Sequence, residues 1–284
     1  MEIKKVAVVG AGTMGRGIAQ VVSTAGIDVS LNDIKEEILK GAFETIDFFL
    51  EKAEKKGKIA SMERAGVLSR IHPTTELREA VAKADLVIEA VPELLDLKKD
   101  TFKKLDKLAD AKAILATNTS QYSITEIASV VSDPSRVIGM HFFHPAVVMK
   151  LIEIVRGLLT SEEIITTIKE FSARLGKETV VCRDSQGFIS TRVLIAQRLE
   201  CYRLLEEGVA SKEDIDKTLR MAFGHPMGQF ELADFSGLDL EPPVCESLAK
   251  VFGDRFRPPQ NILHLVKAGR YGRKAGKGWY DYSK

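Results

Sequence analysis

The run Gly139-Met140-His141-Phe142-Phe143-His144-Pro145 places two of the chain's five histidines three residues apart. Just beyond it, MKLIEIV carries a single acid, Glu153, inside an otherwise apolar stretch. Two imidazoles and a carboxylate this close can be metal ligands, a general base with its orienting acid, or polar residues satisfied within a core. A metal site needs a third and usually a fourth ligand, and neither an H-E-x-x-H run nor a neighbouring cysteine supplies one, so no metal is expected. The dyad has better geometry. RVIGMHFF and MKLIEIV both read as extended segments, joined by a short loop from Pro145 to Met149. His141 and Glu153 are equidistant from Val147, so a fold-back there sets them opposite each other. A buried glutamate against Nδ1 fixes the imidazole tautomer and stabilises imidazolium, leaving the other nitrogen to act as base. A core histidine satisfied by its neighbours is the competing reading, and it suits a lone histidine better than one facing an acid.

A second constellation lies at the start of the chain. VAVVGAGTMGRGIAQ holds Gly10, Gly12 and Gly15 in the G-x-G-x-x-G arrangement, directly after an apolar run and at the opening of a helical one. In that context the first glycine permits a tight turn, the second lets backbone approach a pyrophosphate, and the third allows close helix packing. The helix N-terminus adds N–H donors and a partial positive charge. Asp33 ends the next strand, DVSLND, 23 residues after Gly10, where an acid binds ribose hydroxyls and repels a 2′-phosphate. NAD is therefore expected over NADP, with Lys35 as the nearby residue able to weaken that preference.

These residues need a scaffold, and the chain supplies an alternating one. VAVVG, DVSLND, DLVIEAV, AILATNT, RVIGMHFF and KETVVC read as strands, with helical segments such as DLKKDTFKKLDKLAD between them, where Leu97, Phe102 and Leu105 share a face. The expected fold is α/β: a Rossmann-type doubly wound sheet. One crossover is too long. Residues 34 to 57 read as an amphipathic helix with Ile34, Ile38, Ile46 and Phe49 on one side, and SMERAGVLSRI as a second helix. The pair forms a helical insertion able to project as an arm. Thr160 and Glu163 have capping-box spacing before TSEEIITTIKEFSARLG. Past Gly187 the pattern turns helical throughout, with Ser211 and Asp214 spaced as a helix start. The boundary is expected between a dinucleotide-binding domain, residues 1–186, and an all-helical C-terminal domain, residues 187–284.

Composition narrows the class. Forty-one basic against 40 acidic residues give a net charge of +1, which argues against a nucleic-acid or membrane-surface role. No apolar run approaches a span of about 20 residues. Cys182, Cys201 and Cys245 are far apart and read as reduced packing residues. The N-terminus enters a strand at once and YDYSK is no peroxisomal address, so a cytoplasmic protein is expected.

Across its length the chain resembles the L-3-hydroxyacyl-CoA dehydrogenase family, most nearly the short bacterial 3-hydroxybutyryl-CoA dehydrogenases. GAGTMGRGIAQ, VIEAVPE, ATNTS, RVIGMHFF-x-P, VMKLIEIVRG, EEGVASKEDID, HPMGQFEL-x-D-x-x-GLD and GRKAGKGWYDY carry the resemblance in order. It implies a homodimer through the C-terminal domain and an NAD-dependent oxidation of (S)-3-hydroxyacyl-CoA. It makes His141 the general base, Glu153 its partner and Ser120 a hydrogen-bonding group for the reacting oxygen. On the cofactor side it implies contacts from Gly10, Gly12, Met14, Gly15, Asp33, Glu93, Lys98, Asn118 and Lys274. Spacing alone would leave Lys98 and Lys274 as solvated charges. For the substrate it points to Ser120, Thr191 and His144, with Lys55, Lys56 and Lys58 where coenzyme A phosphates would lie.

The chain departs from the family pattern at three places. Thr191 and His144 stand where relatives carry Asn, and Gln229 replaces a proline. These changes are expected near the active site, so they bear on acyl-group preference rather than on the dehydrogenase chemistry. Two other readings stay open: a β-hydroxy acid dehydrogenase acting on a free acid, and an NAD-binding relative with little or no activity. The first generally relies on a catalytic lysine, for which no matching motif is present.

Overall fold

Runs of β-branched and aliphatic residues set the first unit's architecture. The computed structural model describes residues 1–57 and 59–283, and the chain divides into two units, Met1–Ser185 and Gln186–Lys284. In the first unit the apolar runs become β1 (Lys5–Val9), β2 (Asp28–Asn32), β3 (Ile71–Thr74), β4 (Leu86–Glu89), β5 (Ile114–Thr117), β6 (Val137–Phe142), β7 (Leu151–Arg156) and β8 (Glu178–Arg183). They form one sheet in the order β3-β2-β1-β4-β5-β6-β7-β8. Every ladder is parallel except β6 with β7. Parallel neighbours require crossovers. These hold α1 (Thr13–Thr24), α2 (Glu36–Lys55), α3 (Ser61–Ser69), α4 (Leu77–Val81), α5 (Leu95–Leu108) and α6 (Ile124–Ala128), while α7 (Glu162–Arg174) joins β7 to β8. Helices on both faces bury the central strands completely, which is why β4 and β5 read as unbroken apolar runs ending in Glu89 and Thr117. The chain order reverses between β1 and β4, and their carboxyl ends frame the crevice where such sheets take ligands. This is the doubly wound fold that the alternation predicts.

The helical insertion is present, but its inward face differs from the expected one. Leu39, Ala42, Ile46 and Leu50 are buried, whereas Ile34, Ile38 and Phe49 are exposed. Ile34 precedes the helix, and the stripe chosen from large side chains overlooked Ala42. Instead of standing clear as an arm, the insertion packs its inner side on α1: Ser23 Oγ donates to Val67 O, and Leu50 and Val67 join the main core. Arg64 pins α2 to α3 through Asp47 at 2.6 Å and Glu54 at 3.2 Å. Helix α7 also starts one residue later than expected. Ser161 Oγ caps it by accepting from Ile164 N, while Thr160 Oγ1 donates to Val137 O and accepts from Gly157 N. On α5, Phe102 and Leu105 are buried as expected, but Leu97 is exposed and Lys98 takes its place inside.

The second unit consists of α8 (Ser190–Glu206), α9 (Lys212–Phe223), α10 (Gln229–Ser236), α11 (Glu241–Phe252) and α12 (Gln260–Lys267) among the described residues. Ser211 caps α9 by accepting from Asp214 N, as its spacing predicts. Tyr202, Phe230 and Trp279 form an aromatic cluster with ring centroids 4.8–5.3 Å apart. Two buried acids hold the C-terminal tail against it. Asp234 accepts from Trp279 N, Tyr280 N and the Tyr282 hydroxyl at 2.8–3.0 Å, and Asp216 accepts from Phe230 N, Glu231 N and the Tyr280 hydroxyl. The GKGWYDY and QFEL-x-D runs are thus two sides of one structural joint. Asp234→Ala should lower unfolding free energy by about 2–4 kcal/mol, because two largely buried amides lose a charged acceptor. Urea unfolding with an unchanged midpoint would show that the tail is held by other contacts.

Candidate active site

The glycine turn is shaped by close approach. Gly10 has φ +102°, and a Cβ there would lie 2.6 Å from Ala90 O, just past β4. A Cβ on Gly15 would lie 1.7 Å from Gly10 O, so α1 could not enter at its observed angle with any larger residue. At Gly12, the N-cap of α1, a Cβ would meet nothing within 4 Å. The turn therefore closes on the protein at two glycines and stays open at the third, on the side where the helix N-terminus offers its N–H groups. Asp33 lies at the end of β2 and fixes itself to this turn by accepting from Ala11 N at 2.8 Å. Met14 is half-buried against the main core. An open cradle of backbone donors beside an acid fits a dinucleotide pyrophosphate and ribose.

β6 and β7 form the antiparallel hairpin expected from the sequence, with His141 directly opposite Glu153 in the register. His141 Nδ1 and Glu153 Oε2 are 2.8 Å apart, with the residues 8% and 1% exposed. A carboxylate can only accept, so Nδ1 carries the proton and donates, and Nε2 is the nitrogen left to exchange one. Asn118, just past β5, accepts from Phe142 N at 2.9 Å through its Oδ1. That bond ties the loop after β5 to the strand that carries His141. His144 is exposed on the β6–β7 turn. The turn is held by Lys177, whose ammonium donates to Ala146 O and Met149 O at 2.7 Å each. Burial lowers the Lys177 pKa.

Glu93 organises the loop that holds Ser120. Its Oε1 accepts from Thr119 Oγ1, Ser120 N and Ser120 Oγ at 2.6, 2.9 and 3.2 Å. Its Oε2 is 3.1 Å from Lys98 Nζ. Lys98 is 1% exposed and also donates to Glu89 Oε1 at 2.9 Å. It is a buried ion-paired residue, where spacing alone would leave a solvated charge. Burial pulls its pKa down, but the two carboxylates outweigh burial and the net shift is upward. Glu89 itself was missed. The signal was available, since an acid closing the apolar run LVIE is the same anomaly that singled out Glu153 in MKLIEIV.

The remaining expected residues lie at the end of α2 or just past it, and in the helical unit. Lys55 pairs with Glu51 at 2.6 Å and is exposed, as is Lys56; Lys58 lies outside the described residues. In the helical unit, Lys274 pairs with Asp239 at 2.6 Å and Thr191 is the second residue of α8. Gln229 is buried within that unit. It donates to Gln197 Oε1 at 2.9 Å and accepts from Arg198 Nε at 3.4 Å.

Comparison with known proteins extends over nearly the whole chain. Residues 5–185 match the 3-hydroxyacyl-CoA dehydrogenase NAD binding domain, and residues 187–282 the 3-hydroxyacyl-CoA dehydrogenase C-terminal domain. A probable 3-hydroxybutyryl-CoA dehydrogenase of Bacillus subtilis is 43% identical over 99% of this chain and 98% of its own. The Escherichia coli 3-hydroxyadipyl-CoA dehydrogenase is 42% identical over 99% of this chain and 60% of its own. The crystal structure of (S)-3-hydroxybutyryl-CoA dehydrogenase from Ralstonia eutropha superposes with a TM-score of 0.96, at 39% identity and full coverage of both chains. With both domains matched in order and its glycine turn shaped for a dinucleotide, the chain belongs to the 3-hydroxyacyl-CoA dehydrogenase family and takes NAD as its cofactor.

Proposed function

We propose that the chain oxidises (S)-3-hydroxyacyl-CoA thioesters reversibly, with His141 as the proton acceptor, Glu153 as its orienter and Ser120 as a ligand of the reacting oxygen. The observation that carries this reading is the buried His141–Glu153 pair at 2.8 Å, at the same end of the sheet as the glycine turn. Gly10, Gly12, Gly15 and Asp33 would hold the cofactor, which supplies a hydride acceptor at nicotinamide C4. As hydride leaves C3, His141 takes the 3-hydroxyl proton at Nε2, and the carbonyl forms from the O–H pair of electrons. Glu153 balances the resulting imidazolium through Nδ1–H. In reduction the same proton returns to the oxygen. Lys55 and Lys56 are exposed and suit coenzyme A phosphates as mobile point charges. The free-acid reading draws no comparable support.

The acyl group is where this chain should differ. His144 is exposed on the hairpin turn next to the strand that carries His141, and an imidazole, once protonated, can form an ion pair with a carboxylated acyl tail, where an Asn offers only a neutral hydrogen bond. The Escherichia coli relative is named for 3-hydroxyadipyl-CoA, a thioester whose acyl chain ends in a carboxylate. NADH oxidation should therefore proceed with acetoacetyl-CoA and not with acetoacetate, and should favour a dicarboxylic 3-ketoacyl-CoA. A His144→Asn, Thr191→Asn variant should shift that preference toward the plain substrate. Equal turnover of the plain thioester by both forms would remove the case for His144. NADH binding without turnover of any thioester would instead favour the inactive relative.

The helical unit exposes Val209, Met221, Phe223 and Leu240. Apolar side chains so freely exposed support pairing of two copies through this unit. Sedimentation equilibrium should give twice the chain mass, and a monomer at micromolar concentration would contradict it.

A further inference from the structure

Glu89 touches none of the groups assigned to chemistry above, yet it underlies one of them. It ends β4 fully buried, and both of its oxygens are engaged. Oε1 accepts from Val91 N at 2.8 Å and from Lys98 Nζ at 2.9 Å, and Oε2 accepts from the Thr117 hydroxyl at 2.6 Å. Three elements thus meet on one carboxylate: the loop after β4, the end of β5 and the first turns of α5. A buried ammonium without a matching carboxylate is costly, so Glu89 is what allows Lys98 to sit inside. From there Lys98 reaches Glu93, 3.1 Å away on a half-exposed loop. Glu93 in turn gathers the Thr119 hydroxyl and both donors of Ser120 on its single Oε1.

We infer that Glu89 is a positioning residue, acting through Lys98 and Glu93 to set the Ser120 hydroxyl. The inference rests on the proposed role of Ser120. Its physical content is a chain of charge-assisted hydrogen bonds running from Glu89 through Lys98 and Glu93 to Ser120, with side contacts from Val91, Thr117 and Thr119. The Lys98 ammonium also contacts Val91 O at 3.5 Å, so its three protons are directed inward at Glu89, Glu93 and the β4 loop. Lys98 is accordingly part of the support for Glu93, and the charge that faces outward from this cluster is the Glu93 carboxylate.

The test is a double-mutant cycle between Glu89→Gln and Ser120→Ala, reading kcat, NADH affinity by fluorescence and Tm. Glutamine keeps the size of the side chain and can still accept from Val91 N, but loses the charge that faces Lys98. Alone, Glu89→Gln should reduce kcat about tenfold to a hundredfold, the scale of a misplaced catalytic group, while NADH still binds. In the Ser120→Ala background it should reduce kcat by less than about twofold, because the group it positions is gone. The same loss in both backgrounds would overturn the inference and leave Glu89 a purely structural residue. Full turnover by Ser120→Ala would overturn the role of Ser120 itself. Should Glu89→Gln fail to fold, Glu89→Gln with Lys98→Met removes both charges of the pair and avoids a buried ammonium left with only the half-exposed Glu93 as its counter-charge. That variant should regain Tm without regaining kcat, and recovery of both would count against the relay.

Discussion

His141→Ala should lower kcat for acetoacetyl-CoA reduction by about 10²–10⁴-fold while leaving NADH binding intact. The size follows from what the imidazole does. Without it, the proton lost from or gained by the C3 oxygen must exchange with water in a site that has lost its proposed proton acceptor. The glycine turn lies between β1 and α1 and Asp33 just past β2, whereas His141 belongs to β6, so the proposed cofactor anchors are untouched by the change. Stability should suffer as well, because truncation leaves the Glu153 carboxylate buried without its imidazole. Reading kcat per folded molecule, with NADH fluorescence as the measure of correct assembly, separates the two effects. Turnover within a few-fold of the natural chain would remove His141 from the mechanism. Parallel loss of NADH binding and kcat would show that the variant reports folding instead.

The legible part of the site was the part written in local sequence. The glycine turn is contiguous, and the acid that ends β2 follows at a distance set by one helix and one strand. The His141–Glu153 pair could be placed because a hairpin relates its two strands by simple reflection about Val147, and the register reproduces that reflection. The buried relay under Ser120 was illegible for the opposite reason. Glu89, Lys98, Thr117 and Ser120 come from two strand-end segments and a helix, brought together only by the crossover order of the sheet. Lys98 illustrates the difficulty. On helical periodicity it lies beside Leu97 in a strongly polar helix, and nothing in DLKKDTFKKLDKLAD says which of its lysines turns inward. A buried cation becomes intelligible only once the carboxylates of Glu89 and Glu93 are seen on either side. The insertion failed on a smaller point of the same kind. Ala42 contributes little to an apolar stripe in sequence, yet a small residue is what lets α2 lie close to the core.

Glu153→Gln is the sharper test of how the pair works, since it leaves the packing of β7 almost unchanged. Glu153 is 1% exposed and lies 2.8 Å from Nδ1, so an amide of the same size occupies the same space. A carboxylate can only accept there, which forces the proton onto Nδ1 and frees Nε2 to take the substrate's proton. A carboxamide can present its NH₂ instead. The imidazole would then accept at Nδ1 and carry its proton on Nε2, the wrong tautomer for a base acting in oxidation. The imidazolium formed during turnover would also lose the charge that balances it. Replacement of a buried carboxylate that orders a catalytic histidine typically costs about 10⁴-fold in kcat, and a loss of about 10²–10⁴-fold is expected here. The effect should fall on kcat, with KM for the thioester changing little, because in the proposed mechanism Glu153 acts through His141. The same variant made in the His141→Ala background should cost almost nothing further, as two residues that act as one unit are not additive. A full additional loss in that background would mean that Glu153 serves the fold of the β6–β7 hairpin, with His141 working as a base without its help.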